Sequence, residues 1–163
     1  MKDKKLWSPW RMDYVKNPSE RENIFKIKSE SKNDKENLVL YRAKFSFILM
    51  NLYPYNNGHL MIAPYEICDD VTELNQNVLN EIMFLLKLST KILKKTLNCQ
   101  GINFGLNMGK ASGAGIEEHL HFHIVPRWLG DTNFMPVVGH TKIHMQSLYD
   151  TYDLLKQEFD LID

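Results

Sequence analysis

The sequence predicts an α+β sandwich with a mostly antiparallel, five-stranded sheet under a main helix, and three observations predict it. Apolar runs bounded by turn residues recur at 38–41, 45–50 and 60–63, which is strand patterning. From about Val71 to Leu97 the apolar residues instead recur at three and four with no Gly or Pro between them, which is helix patterning. Residues 119–125, His119-Leu120-His121-Phe122-His123-Ile124-Val125, then alternate strictly as far as Ile124. In a strand this puts three imidazoles on one face at intervals of roughly 6.5–7 Å and three apolar side chains on the other.

Taken in order, the chain opens with a segment, 1–27, whose Trp7, Trp10 and Phe25 suit docking on the body or on another subunit. Residues 28–37 are polar throughout and read as a solvated, mobile loop. Two strands follow, separated by the hairpin-like Arg42-Ala43-Lys44, and the turn-rich 51–58 leads to a third that ends at Pro64. Asp69 or Asp70 is placed to cap the long helix. A fourth strand covers 101–107, a glycine-rich loop 108–115, and the histidine strand is the fifth, closed by Pro126. The amphipathic stretch of about 144–159 predicts a C-terminal helix.

At 163 residues the chain fits a single domain, 1–163, long enough to bury its own core. Cys68 and Cys99 are far apart and form no C-x-x-C, so neither a disulfide framework nor a cysteine zinc knuckle is predicted, and a cytoplasmic setting is expected. The first residues lack an apolar signal core and no window is apolar enough to span a membrane. Lys and Arg total 20 and Asp and Glu 20, so the electrostatic footprint of a nucleic-acid-binding protein is missing.

Three aligned histidines have three uses. They can decorate a solvated sheet face. They can ligate a metal, with Glu117 or Glu118 as general base or outer-shell partner. They can also supply a nucleophilic imidazole flanked by two others that fix its tautomer, bind an anion and protonate a leaving group. The loop just upstream favours the third use. Its glycines let backbone N–H groups converge on an anion, and Lys110 and Ser112 stand among them. It is not a P-loop, since Phe104 stands where the first glycine is required and Ala111 follows Lys110.

The run from His119 to Val125 resembles the His-φ-His-φ-His-φ-φ signature of the histidine triad (HIT) superfamily of nucleotide hydrolases and transferases. Residues 51–64 are similar to that family's upstream segment, in which an Asn or Asp precedes a strand histidine by eight residues; here these are Asn51 and His59. Residues 6–12 and 126–134 further resemble the prokaryotic branch that includes a diadenosine tetraphosphate phosphorylase. The resemblance implies that His121 attacks the α-phosphorus of an adenine or related nucleotide and carries it as a nucleotidyl-imidazole until water or phosphate removes it. It implies that His119 and His123 hydrogen-bond the phosphate and the leaving oxygen, and that His59 supports the triad. It assigns Asn51 to the ribose hydroxyls, Leu52 to the base, and Asn107 and Gly115 to the phosphates, with Ser112 as a further contact. It also implies a homodimer with strands of two subunits joined into one sheet, to which the sequence itself adds Phe84, Leu88 and the aromatic N-terminus as interface candidates.

The chain departs from the family in two places. Several relatives hold a structural zinc through C-x-x-C, a histidine after the third strand and the first triad histidine. Here Asn23-Ile24-Phe25-Lys26 stands where the cysteine pair would fall, and Ile67 replaces the histidine. No metal and no cofactor is therefore expected. Ile116 and Glu117 replace the Gln and Ser or Thr of the phosphoramidase branch, which argues against phosphoramidate hydrolysis. A metal-dependent hydrolase and a non-catalytic nucleotide-binding module are the alternative readings.

Overall fold

The computed structural model describes residues 23–131, 138 and 146–162; the expected docking of Trp7 and Trp10 and the similarity at 132–134 lie outside the described residues. Strands β1 (Val39–Arg42), β2 (Ser46–Met50), β3 (Leu60–Pro64), β4 (Gly101–Leu106) and β5 (Phe122–Arg127) form one sheet in the order β1-β2-β3-β5-β4. Every neighbouring pair is antiparallel.

The two-residue period of the strands sorts their side chains between two cores. Ile48, Met50, Leu60, Ile62 and Ile124 face the long helix α3 (Gln76–Leu97) and the C-terminal helix α4 (Leu148–Phe159), which contribute Ile82, Leu85, Leu93 and Phe159. Phe47, Leu49, Met61 and Ala63 face the other way and pack with Phe25 and Ile116. His121 and His123 belong to this second face, because Met61 and His123 are register partners.

Residues 28–37 correct the expectation of a mobile loop. They belong to α1 (Ile24–Glu30), the linker after it and α2 (Asp34–Asn37). The reason is Arg42: its guanidinium donates to the carbonyls of Lys28, Ser29 and Ser31 and to Asp34 Oδ1, all at 2.8–3.0 Å. The carbonyls left over at the end of α1 thus find a donor within the fold.

Helix α3 also starts later than its periodicity suggests. Asp70 Oδ1 accepts from the backbone and hydroxyl of Thr72 and closes a separate turn, while Asn75 caps the helix by accepting from Asn77 N. Within the expected segment 144–159, the described helix is capped by Ser147, whose Oγ accepts from Asp150 N at 3.1 Å.

The histidine strand is shifted as well. Regular pairing begins at Phe122 and runs past Pro126 to Arg127, while Leu120 N–H bonds the Cys68 carbonyl, so His119 and His121 lie on the approach to β5. Pro126 is tolerated because β3 pairs only with 122–124 and the Pro126 carbonyl turns towards Asn56 Nδ2, at 3.0 Å. Its nitrogen shares that side, where no ladder bond is lost.

Candidate active site

The second face of the sheet holds a chain of hydrogen bonds that fixes where each imidazole proton sits. Tyr55 N–H donates to His59 Nδ1 at 3.0 Å, so the proton of neutral His59 is on Nε2. That nitrogen lies 3.0 Å from His123 Nδ1, which must accept, so the proton of neutral His123 is on its own Nε2. On the neighbouring ring, His121 Nδ1 lies 2.8 Å from the His119 carbonyl, an acceptor only. His121 Nδ1 therefore carries the proton and Nε2 the lone pair. One ring offers a lone pair and the next an N–H, with centroids 5.0 Å apart and planes at 76°.

Local structure produces this arrangement. His59 follows Gly58, whose φ of +71° turns the chain into β3, and Asn51 N–H bonds the His59 carbonyl at 3.0 Å. Asn56 donates to the Pro126 carbonyl and to Asp131 Oδ2, which ties the turn at 51–58 to the far end of β5. The Tyr55 ring lies 4.7 Å from that of His59. His59 is fully buried and stands behind His123, supporting it.

His119 corrects an expectation. It is buried, its Nε2 lies 2.9 Å from the Pro64 carbonyl and its Nδ1 lies 3.0 Å from Asn23 Oδ1. Both ring nitrogens face oxygen acceptors below the site, of which the single N–H of the neutral ring meets one, so its side chain is not placed to bond a phosphate. Its carbonyl is what serves the site, as the acceptor that sets the His121 tautomer. The Phe25 ring packs on both histidines, 5.2 Å from His119 and 4.8 Å from His121.

A cavity of about 290 Å³ opens in front of His121 and His123. Of the residues singled out in the sequence, Asn51, Leu52, Asn107 and Gly115 also line it. Ser112 does not: it is exposed, and its hydroxyl donates to the Gly109 carbonyl at 2.8 Å within the short turn Lys110–Ser112. Glu117 is likewise exposed and outside the lining, whereas Ile116 forms part of the wall. Asn51 Oδ1 already accepts from Tyr53 N at 2.9 Å, which holds the loop carrying Leu52.

The sequence reading missed the wall supplied by α1, where Ile24, Phe25 and Lys28 face the cavity, and missed Tyr53, Tyr55 and Met61. A faint signal existed in the helical spacing of Ile24, Phe25 and Lys28 within a polar stretch.

Burial pushes the His121 pKa below its ordinary value, and the bond to the His119 carbonyl opposes this only in part. His119 is also lowered, again mainly by burial. Neutral His121 is therefore the prevailing form at pH 7, as nucleophilic attack by its lone pair requires. Among the described residues no group of three His, Cys, Asp or Glu side chains is placed to hold a metal ion.

The family model described as HIT domain matches residues 32–128. AP-4-A phosphorylase of Mycobacterium tuberculosis (strain ATCC 25618 / H37Rv) is 36% identical over 163 residues, covering 95% of this chain and 84% of that protein. Bis(5'-adenosyl)-triphosphatase of Dictyostelium discoideum is 29% identical over 55% of this chain and 59% of its own length. In fold, a crystal structure of a Zn-bound histidine triad family protein from Mycobacterium smegmatis superposes with a TM-score of 0.62 at 19% identity, covering 76% of this chain and 84% of that one.

Proposed function

The chain belongs to the HIT family, and from that premise we propose that it cleaves diadenosine polyphosphates at an α-phosphorus, with His121 carrying the nucleotidyl group between two transfers. The relatives named AP-4-A phosphorylase and bis(5'-adenosyl)-triphosphatase support this substrate class. The observation that carries the mechanism is the hydrogen-bond order just described, which leaves His121 Nε2 unprotonated beside the Nε2–H of His123.

In the first transfer His121 Nε2 bonds to the α-phosphorus as the bridging oxygen leaves, its developing charge met by the proton of His123 Nε2. From a tetraphosphate the leaving group is a nucleoside triphosphate. In the second transfer water or phosphate attacks the same phosphorus, the proton of a water passing to a phosphate oxygen or to solvent while His123 keeps its Nε2–H on the phosphate, and the bond from phosphorus to His121 breaks to return the lone pair to Nε2. Asn107 and the backbone at Gly113 and Gly115 flank the phosphates, Asn51 the ribose, and Ile24, Phe25 and Leu52 the base. The cavity has room for one nucleotide, so the second half of the substrate extends outwards.

A homodimer joined through β4 is part of this reading. Among the described residues that strand pairs on one side only, with β5, and Phe84 and Phe104 are 60% and 41% exposed. Phe84→Glu is expected to give monomers by light scattering. A reducing, cytoplasmic location is consistent with Cys68 and Cys99 being unbridged, and no helix of the described residues is long and apolar enough to cross a membrane.

Incubation with diadenosine tetraphosphate tests the reaction. ADP and ATP appearing only with added phosphate identify a phosphorylase, and AMP and ATP without it a hydrolase. His121→Ala retaining more than a few per cent of activity overturns the covalent histidine.

A further inference from the structure

We propose that Lys28 selects the nucleobase, favouring a 6-oxopurine such as guanine over adenine through donation from its ammonium at the cavity wall. This rests on the nucleotide reading above and deepens it.

Lys28 lies on the same face of α1 as Ile24 and Phe25, three residues and about 4.5 Å beyond Phe25 along the helix axis. Phe25 touches His121, so Lys28 stands further from the reacting imidazole. Its Nζ donates to the carbonyl of Asn37, next to Leu38, whose own carbonyl accepts from Met50 at the end of β2. This is the end of the cavity where Asn51 and Leu52 follow β2, and Ile24 and Leu52 give it an apolar character. An apolar slot holds a flat ring without distinguishing bases, and identity is set by the few polar groups at its edge.

The ammonium has three donors and uses one on Asn37. It forms no ion pair among the described residues, and Asp34 is engaged by Arg42. Burial pushes the amine below the usual lysine range, which is the mark of a cation short of solvent and counter-charge. A ligand that brings acceptors relieves that deficit. Guanine presents O6 and N7 side by side, both acceptors, whereas adenine places the N6 donor beside N7. The ammonium is matched twice by the first and once by the second. A hydrogen bond from a charged donor discriminates by roughly ten- to a hundred-fold.

A mixed dinucleotide, adenosine and guanosine joined by four phosphates, makes the choice internal to one substrate. The base held in the cavity leaves on the short product, and the other half leaves in the first transfer as its triphosphate. Release of ATP over GTP by about tenfold, collapsing towards parity in Lys28→Met, is the result expected. Because the ratio is internal, a general loosening of α1 lowers both products together and leaves it unchanged. An identical ratio in the two proteins, or GTP in excess from the unsubstituted chain, overturns the proposal. If the dinucleotide stays intact, the cleavage reading fails, and titration with GMP and AMP then decides Lys28. GMP binding tighter, with the preference lost in Lys28→Met, supports the assignment; equal affinities overturn it.

Discussion

Asn23 Oδ1 lies 3.0 Å from His119 Nδ1 while also accepting the backbone N–H groups of Phe25 and Lys26, each at 3.1 Å. One oxygen thus closes the N-terminus of α1 and ties it to the first triad histidine. The tie attaches the wall made by Phe25 and Lys28 to the segment carrying His121. Asn23→Ala removes the cap and strands a buried imidazole nitrogen, for a loss of about 2 kcal/mol in chemical denaturation. KM should rise more than kcat falls, because α1 lines the cavity rather than the reacting atoms. Asn23→Asp keeps the acceptor and should remain within about 0.5 kcal/mol of the starting chain; equal losses in the two variants would show that the oxygen is not what matters.

The relay from Tyr55 through His59 to His123 makes a different prediction. Replacing His59 by Leu leaves His123 Nδ1 without its donor, so the ring no longer has a fixed tautomer and its acid proton is misplaced in part of the molecules. kcat should fall on the order of 10²-fold, within what a positioned acid contributes, with KM little changed. Unchanged kcat in His59→Leu would remove the relay from the mechanism.

The lowered pKa values of His119 and His121 set a pH dependence whose sign follows directly. Unfolded, both rings titrate near the ordinary 6.5; folded, burial holds them lower. Between the two values the unfolded chain binds more protons, so stability is full above 6.5 and is lost as pH falls through the folded values. Thermal midpoints should therefore drop on acidification below about pH 6.5, and kcat/KM should fall on an acid limb below that pH, since protonated His121 has no lone pair. His119→Gln should weaken the stability slope while leaving an acid limb in kcat/KM.

How much of this was legible in the sequence depends on whether a residue's partner is local. The alternation at 119–125 gave the shared face of His121 and His123, and Gly58-His59 gave a turn into a strand, because both are properties of neighbouring residues. The same alternation could not reveal that the His119 side chain is withdrawn, since Asn23 and Pro64 come from 96 and 55 residues away. Residues 28–37 look like a loop by composition, and what holds them as the end of α1, a linker and α2 includes Arg42, folded back over the carbonyls of Lys28, Ser29 and Ser31. Ser112 failed for the opposite reason: a hydroxyl beside glycines bonds its own turn before it can meet a ligand.

Gly58 offers a last test that separates backbone geometry from side-chain chemistry. Its φ of +71° lies in the left-handed region, and an added Cβ would meet Leu97 Cδ1 at 2.4 Å and both Leu93 and Pro126 at 3.5 Å. Alanine there meets about 1 kcal/mol of backbone strain, and Leu97, at the end of α3, must move aside. Gly105 is the control, with no positive φ and nothing within 4 Å of its added Cβ. Gly58→Ala should therefore lose about 1–3 kcal/mol in denaturant melts while Gly105→Ala loses less than about 1 kcal/mol. His59 is the next residue, and its Nε2 must stay near 3.0 Å from His123 Nδ1, so kcat should fall in Gly58→Ala even where the protein is fully folded. A Gly58→Ala protein with lowered stability but unchanged kcat would mean that the turn serves the fold and not the relay.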